Sequence, residues 1–155
     1  MNGKEEGMSA KDIALKLEEQ FDEFILALQS PGDRRVYVDI APQSVARATR
    51  LMLDEYAARF QIATGVDTPE GYEVMYHWAL DDNDCVITFR ATVPHDAPRI
   101  DSIALICPAA EWIEREMWEL LGIEFKGHPD MRHLLLADEW PEGNYPMRRN
   151  REATP

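Results

Sequence analysis

Apolar residues recur at helical spacing near the start of the chain. The spacing predicts a first helix over residues 9–29. Ser9, with Asp12 three residues on, is typical of a capped helix start, and the run Ser-Pro-Gly-Asp at 30–33 ends the helix. Residues 1–8, which precede the cap, are expected to be disordered. The predicted apolar stripe of the helix consists of Ile13, Leu17, Phe21, Phe24, Ile25 and Leu28.

Alternation of apolar and polar residues predicts strands further along the sequence. The predicted strands cover residues 34–40, 60–67, 71–80, 85–93 and 100–107. A second helix is predicted between the first two of these strands, from Pro42 to about Arg59. The polar run at 81–84 predicts a tight turn, so the strands on either side of it should form an antiparallel hairpin.

A third helix is predicted from Pro108 to Gly122. On a helical wheel one arc is apolar and is predicted to face the core. That arc consists of Ala109, Ala110, Ile113, Met117, Leu120 and Leu121, with Glu116 at its edge. The opposite side carries Glu111, Glu114, Arg115 and Glu119. We interpret these charged residues as surface pairs or contacts to another protein. Trp118 lies among them, so it either packs beneath the C-terminal segment of its own chain or contacts a partner.

Regular patterns stop after this helix. Residues 126–155 contain four prolines, which predicts extended backbone with short turns. Gly127 is predicted to adopt backbone angles closed to other residues, and Asp130 to accept backbone amides of the following turn. The order of elements predicts one α+β domain with a mixed, largely antiparallel sheet packed by about three helices. We therefore divide the protein into an α+β domain, residues 1–125, and an extended tail, residues 126–155.

Composition and charge narrow the possible partners. The protein has 155 residues and a net charge of −13, and the whole acidic excess lies in residues 1–125. An acidic body disfavours nucleic acid and anionic membrane as partners. Without a membrane-spanning apolar run or the features of a signal peptide, a cytoplasmic location is expected. The basic cluster of Arg148, Arg149 and Arg151 is either a solvated end or a contact site.

Candidate catalytic chemistry is sparse. Cys85 and Cys107 are isolated, so buried free thiols are expected. The sequence lacks a nucleophile elbow, a phosphate-binding loop and a dinucleotide fingerprint. Two alternatives remain: a free regulatory binding module, or a stand-alone metal-dependent hydrolase. The residues available to such a hydrolase are Glu116, His128, Asp130 and His133.

The segment "EREMWELLGIEFKGHPDMRHLLL", followed by "DEWPEGNYPMRR", resembles the 30 kDa subunit family of respiratory complex I (the C subunit of NADH:quinone oxidoreductase) and its hydrogenase relatives. The resemblance covers about residues 60–149. The matching positions are Glu114, Arg115, Glu116, Trp118, Gly122, Ile123, Phe125, Gly127, His128, Pro129, Asp130 and Arg132.

The resemblance implies a non-catalytic α+β subunit that docks on a large, hydrogenase-like subunit beside an iron–sulfur subunit. It implies no cofactor on this protein, with Fe–S clusters and either Ni–Fe or FMN on the partners, and a peripheral position on the cytoplasmic side of the membrane. Residues 126–155 would then be a docking tail. The expected partner-binding residues are Glu114, Arg115, Glu116, Trp118, Gly127, His128, Pro129, Asp130, Arg132, Trp140, Tyr145, Arg148 and Arg149.

One stretch distinguishes two branches of this family. "WPEGNYPMRR", at 140–149, is more similar to subunits of energy-converting, membrane-bound [NiFe] hydrogenases and formate hydrogenlyases. The complex I branch usually has a Gly-His-Pro-Leu-Arg-Lys-Asp stretch there instead. The resemblance therefore favours the hydrogenase branch, with the C subunit of an NADH or other donor:quinone oxidoreductase as the alternative.

Overall fold

The computed structural model describes residues 7–149. It contains three α-helices, which are α1 (Ala10–Phe21), α2 (Val45–Asp54) and α3 (Glu111–Leu121). Its strands are β1 (Ile25–Gly32), β2 (Arg35–Ile40), β3 (Arg59–Asp67), β4 (Tyr72–Leu80), β5 (Cys85–Val93), β6 (Arg99–Asp101) and β7 (Glu124–Lys126). Short 3₁₀ turns at 42–44 and 108–110 lead into α2 and α3.

Five strands form the main sheet, in the order β1-β2-β5-β4-β3. Only the pair β2–β5 is parallel, and the other pairs are antiparallel. Alternate residues of β2, β4 and β5 are buried on one face, where all three helices pack into a single core. The α+β architecture with a largely antiparallel sheet is thus confirmed, as is the β4–β5 hairpin.

The first helix is shorter than predicted. α1 has the predicted capping box between Ser9 and Asp12, but it ends at Phe21. The prediction of helix up to residue 29 was wrong, because residues 25–32 pair with β2 as an antiparallel strand, with Leu28 opposite Val38. Apolar residues three apart share a face in a regular helix but not in a regular strand. A register irregularity between Ile25 and Ala27 places Ile25 and Leu28 on the same face of β1, opposite the buried residues of β2.

Two further predicted elements also extend too far. The second helix ends at Asp54 rather than Arg59, just before Ala57 adopts a positive φ of 45°. Strand β6 stops at Asp101, whereas a strand had been predicted up to residue 107. The backbone turns there instead, because the Cys107 amide bonds to the Ile103 carbonyl and both side chains enter the core. Cys85 and Cys107 are buried free thiols, as predicted.

The third helix and its exit position the segment that follows. Gly122 ends α3 with φ +73°, as the sequence predicted. β7 then pairs with β6 in a small parallel sheet, so residues 124–126 are a strand rather than irregular backbone. α3 lies very close to β3, since a Cβ built on Gly65 would stand only 2.7 Å from Leu121 Cδ1. A side chain at position 65 would collide with the side chains of Leu121 and Met117, which would have to move.

Candidate docking surface

The charged side of α3 is buried rather than exposed. Glu114, Arg115 and Glu119 are 0, 6 and 2% accessible. Their interpretation as surface pairs was wrong. Residues 128–149 lie across this side of the helix and supply hydrogen-bond partners to Arg115 and Glu119, and the segment after β6 supplies those of Glu114. Lys126 is the last residue of β7, so from here on the tail means residues 127–149, which carry no helix or strand. Buried charges are tolerated only where such partners exist.

Glu119 holds the tail by its amides. Its carboxylate accepts hydrogen bonds from the backbone N–H groups of Leu134, Leu135 and Leu136 at 3.0, 2.6 and 3.3 Å. The His133 Nδ1 atom lies 3.2 Å from the same carboxylate. Burial raises the pKa of Glu119, but the four hydrogen bonds outweigh burial and leave that pKa below its usual value. Glu119 therefore binds the tail as an anion.

Arg115, one helical turn earlier, holds the tail by its carbonyls. Its Nε donates to the Arg132 carbonyl at 2.9 Å, and its Nη2 donates to the His133 carbonyl at 2.7 Å. Arg115 and Glu119 thus grip consecutive peptide groups from one face of α3. We call this pair the clamp.

Trp118 is half-buried beneath the clamped segment. Its ring lies 5.4 Å from the ring of His133 and packs against the hydrophobic core. The first alternative for Trp118, packing beneath its own chain, is thus the arrangement found. A direct partner contact of Trp118 stays a prediction.

Glu114 is the most deeply placed carboxyl group of the site. It accepts hydrogen bonds from the Ser102 hydroxyl and the Ile103 amide. Burial nevertheless raises its pKa to about 7, since these two hydrogen bonds only partly offset the loss of water. Tyr76 feels the same charge: burial above all, with the Glu114 charge as the next contribution, holds its pKa well above the ordinary value.

His128 packs against Glu114 at the start of the tail. Its Nε2 lies 2.9 Å from the Glu111 carbonyl and 4.0 Å from the Glu114 carboxylate. The Asp130 amide donates to its Nδ1 at 3.1 Å. These contacts define the tautomer: Nε2 carries the proton, and Nδ1 accepts. The ring ties the loop after β7 to the first turn of α3.

The backbone turns sharply around this histidine. Gly127 has φ +78°, in the region open to glycine, as the sequence predicted. Pro129 is exposed, and Asp130 pairs with Arg132 at 2.9 Å on the surface. Asp130 therefore uses its carboxylate on a side chain, whereas a bond to the backbone of the next turn had been predicted.

The end of the tail is fastened separately. Arg148 donates from Nε to the Leu121 carbonyl at 2.7 Å, and its guanidinium stacks on Tyr145 at 4.1 Å. The tail passes so close to Gly122 that a Cβ there would meet both Arg148 and Tyr145. Arg148 is thus engaged within its own protein.

Arg149 differs from its neighbour. Its amide donates to the buried carboxylate of Asp67 at 2.8 Å, while its side chain is exposed. Trp140 is half-buried, and its Nε1 donates to the Asn144 carbonyl at 2.7 Å. Arg151 and residues 1–6 lie outside the described residues, so the predictions made for them are not addressed.

A second surface lies on the other side of α3, and the sequence reasoning missed it. Four large apolar residues are at least half exposed there, and they are Ile62, Trp112, Leu135 and Met147. They flank a shallow groove between β3 and α3, which we call the β3–α3 groove. Glu116 is the single charged residue among those that line it. Trp112 between charged residues carried the same signal as Trp118, and could have been found by it.

The residues of the hydrolase alternative are not brought together. Glu116 lines the β3–α3 groove, His128 faces Glu111, His133 faces Glu119, and Asp130 pairs with Arg132. Within residues 7–149 no three His, Cys, Asp or Glu side chains are grouped so that they could hold a metal ion. In the same range, no helix is long and apolar enough to cross a membrane.

Fold and site together define a small α+β protein whose tail is fixed against α3. A profile of the family described as "Respiratory-chain NADH dehydrogenase, 30 Kd subunit" matches residues 38–155. The chain belongs to this family, whose members are the C subunits of complex I-like enzymes. The resemblance inferred from the sequence is thereby confirmed.

Individual relatives agree with this assignment. The C subunit of F(420)H(2) dehydrogenase from Methanosarcina mazei is 34% identical over 155 residues, which is 96% of this protein and 95% of that one. The C/D subunit of NADH-quinone oxidoreductase from Gluconacetobacter diazotrophicus is 32% identical over 83% of this protein, but the match spans only 23% of that one.

A solved structure shows the same fold. A polypeptide of the membrane-bound sulfane sulfur reductase, an archaeal respiratory membrane complex, superposes with a TM-score of 0.77 at 23% identity. The superposition covers 93% of this protein and 86% of that polypeptide.

Proposed function

We propose that this protein is a non-catalytic subunit that docks on the large, hydrogenase-like subunit of a complex I-like oxidoreductase, beside an iron–sulfur subunit. The proposal rests on the tail, which hydrogen bonds from α3 hold in place. Two buried charged residues of α3, Arg115 and Glu119, hold a segment without helix or strand in one conformation. Ordering a residue costs about 1–2 kcal/mol of backbone entropy, so a fixed surface of this kind is best explained by its use in binding.

The expected partner-binding residues divide into two groups under this proposal. Glu114, Arg115, His128 and Arg148 bind groups within their own protein and shape the surface from beneath. Arg132 and Arg149 have exposed side chains on its outside, and Trp140 is half exposed. We assign direct contact with the large subunit to this outer group. Charge complementarity supports carboxylates on the partner as the recognised groups.

Charge reversal of the outer arginines tests the proposal. Arg132→Glu with Arg149→Glu should reduce capture of the co-expressed large subunit at least about tenfold, as broken interface pairs do. The matched control is Arg50→Glu, an exposed arginine of α2 far along the sequence. Melting temperatures of the three proteins should agree closely. Equal capture by the double variant and the control would contradict the proposal.

The two candidate complexes differ in their electron donor. "WPEGNYPMRR" supports an energy-converting [NiFe] hydrogenase or formate hydrogenlyase. A relative named for F(420)H(2) dehydrogenase matches nearly the whole of both proteins, which supports a dehydrogenase with a donor other than hydrogen. A full-length match outweighs ten residues, so we propose the dehydrogenase branch. Assaying the purified complex with H₂, NADH and reduced F420 distinguishes them.

Cofactors are proposed to sit on the partner subunits. They would be Fe–S clusters, with FMN in a dehydrogenase of the NADH type or Ni–Fe in a hydrogenase. We further propose that the protein reaches the membrane only through the complex, on its cytoplasmic side. Metal analysis of the purified protein tests the first point, and stoichiometric iron, nickel or zinc would contradict it.

A further inference from the structure

Strand β3 is one of the two edge strands of the main sheet. The two edges differ in how well they are protected against the addition of another strand. β1, the other edge, contains Pro31 and two register irregularities against β2. β3 contains no proline, and it pairs regularly with β4 from Ile62 to Asp67 after a single irregularity. Its only charged residues are at its ends, Arg59 and Asp67. Proline, bulges and charges are the usual devices that prevent strand addition at an edge.

The outer edge of β3 has no strand beside it among residues 7–149. An unprotected edge offers backbone N–H and C=O groups that an extended segment can bind. The exposed apolar residues of the β3–α3 groove, Ile62 and Trp112 in particular, lie alongside this edge. An added strand would therefore cover apolar surface as well as pair its backbone.

The charge of the groove limits which kinds of segment could bind there. Glu116 is the single charged lining residue, and within residues 7–149 no group gives its carboxylate a hydrogen bond or an ion pair. A basic side chain on the incoming segment would pair with it, next to apolar side chains that contact Trp112 and Ile113. The acidic body of the protein disfavours an acidic segment at the same place.

We propose that the β3–α3 groove binds an extended segment of a neighbouring subunit, which adds to β3 as a sixth strand and places a Lys or Arg against Glu116. This site is separate from the outer arginines of the tail, and it rests on the proposed function in that the protein works within a complex.

Hydrogen–deuterium exchange of the assembled complex tests the site directly. The complex is purified through a tag on this protein, and its β3 amides are compared with those of the free protein. We expect those at the outer edge of β3 to exchange at least about tenfold more slowly in the complex, because they become hydrogen-bonded. Unchanged exchange in an intact complex would overturn this inference alone, whereas failure of the large subunit to co-purify would overturn the proposed function.

Two substitutions probe the backbone and charge contacts separately. Ile62→Lys blocks the edge and Glu116→Lys repels a basic residue, so each should weaken assembly about tenfold. Leu26→Lys is the matched control, because Leu26 is an exposed apolar residue of the opposite edge strand. Melting temperatures should stay within about 2 °C of wild type. Assembly of both groove variants at the level of the control would overturn the inference.

A second copy of this protein is the competing occupant. Light scattering of the purified free protein distinguishes it. A monomer supports the neighbouring subunit as occupant, while a dimer that Ile62→Lys converts to monomer would overturn that assignment.

Discussion

The burial of two sides of α3 differs from what their composition predicts. The side that carries Glu114, Arg115 and Glu119 is buried, whereas the groove side exposes Trp112 and a half-buried Ile113. The charged side is buried because other segments bring hydrogen-bond partners to it. The tail supplies backbone groups to Arg115 and Glu119, and the segment after β6 supplies the partners of Glu114. Most of the apolar arc packs into the core, but its edge at the groove is open because no described segment of this protein covers it. Burial on this helix follows the available partners, not hydrophobicity alone.

Removing the carboxylate of the clamp should have the largest effect. Glu119→Ala leaves three backbone N–H groups of the tail without their acceptor, and buried unsatisfied groups cost about 1–3 kcal/mol each. Release of residues 132–136 into water limits the total, so we expect a loss of roughly 2–4 kcal/mol in unfolding free energy. Denaturant melts measure the loss, and faster amide exchange at 134–136 identifies its place.

The control for this variant is Glu142→Ala, an exposed acidic residue of the same tail. It should change stability by less than about 0.5 kcal/mol. Similar losses in the two variants would mean that the clamp contributes little and that the charged side of α3 is held by other contacts.

The stability of the protein should depend on pH through the protonation of the buried carboxyl group of Glu114. The folded-state pKa of Glu114, about 7, lies above its ordinary value of 4.5. Between these two values the folded protein binds the proton more tightly, so stability falls as pH rises. Below pH 4.5 the group makes no difference, and above about pH 7 the cost is constant, at roughly 3 kcal/mol.

Glu114→Gln isolates this effect, because the amide keeps the shape and carries no charge. The stability difference, variant minus wild type, should increase from pH 4.5 to pH 7 and then level off. Ser102 and His128 face the group from the neighbouring segments, and both are kept in the variant. Parallel pH profiles for the two proteins would show that Glu114 is not protonated near neutral pH.

The smallest effects on stability are expected at two neighbouring arginines. Arg148 is held within its own protein, whereas the side chain of Arg149 is exposed. Arg148→Ala removes a hydrogen bond to the Leu121 carbonyl and the stacking on Tyr145, which should cost about 1–2 kcal/mol of stability. Arg149→Ala keeps the backbone bond to Asp67 and should leave the melting temperature unchanged. Thermal melts at matched pH would measure both. Equal destabilisation would argue that Arg149 is also fixed within its own protein.

Much of the fold could be read from local patterns. Alternation of apolar and polar residues indicated β4 and β5, and the polar run between them indicated the turn. Gly122 was expected to end α3 and Gly127 to need backbone angles closed to other residues, and both have positive φ. These features depend on residues close in sequence, so the chemistry that decides them is visible in a short window.

The sequence by itself also determined the family, through the signature at 114–132, and the acidic charge of the body. Only the tertiary structure decided which side of α3 is covered, that residues 25–32 are a strand, and that Trp112 is exposed. The reason is physical: the hydrogen bonds of Glu119 and Arg115 reach residues 14 to 18 positions away. A periodic pattern of polar and apolar residues reflects the free-energy cost of moving each side chain out of water. For a charged side chain, hydrogen bonds from a distant backbone group can offset that cost.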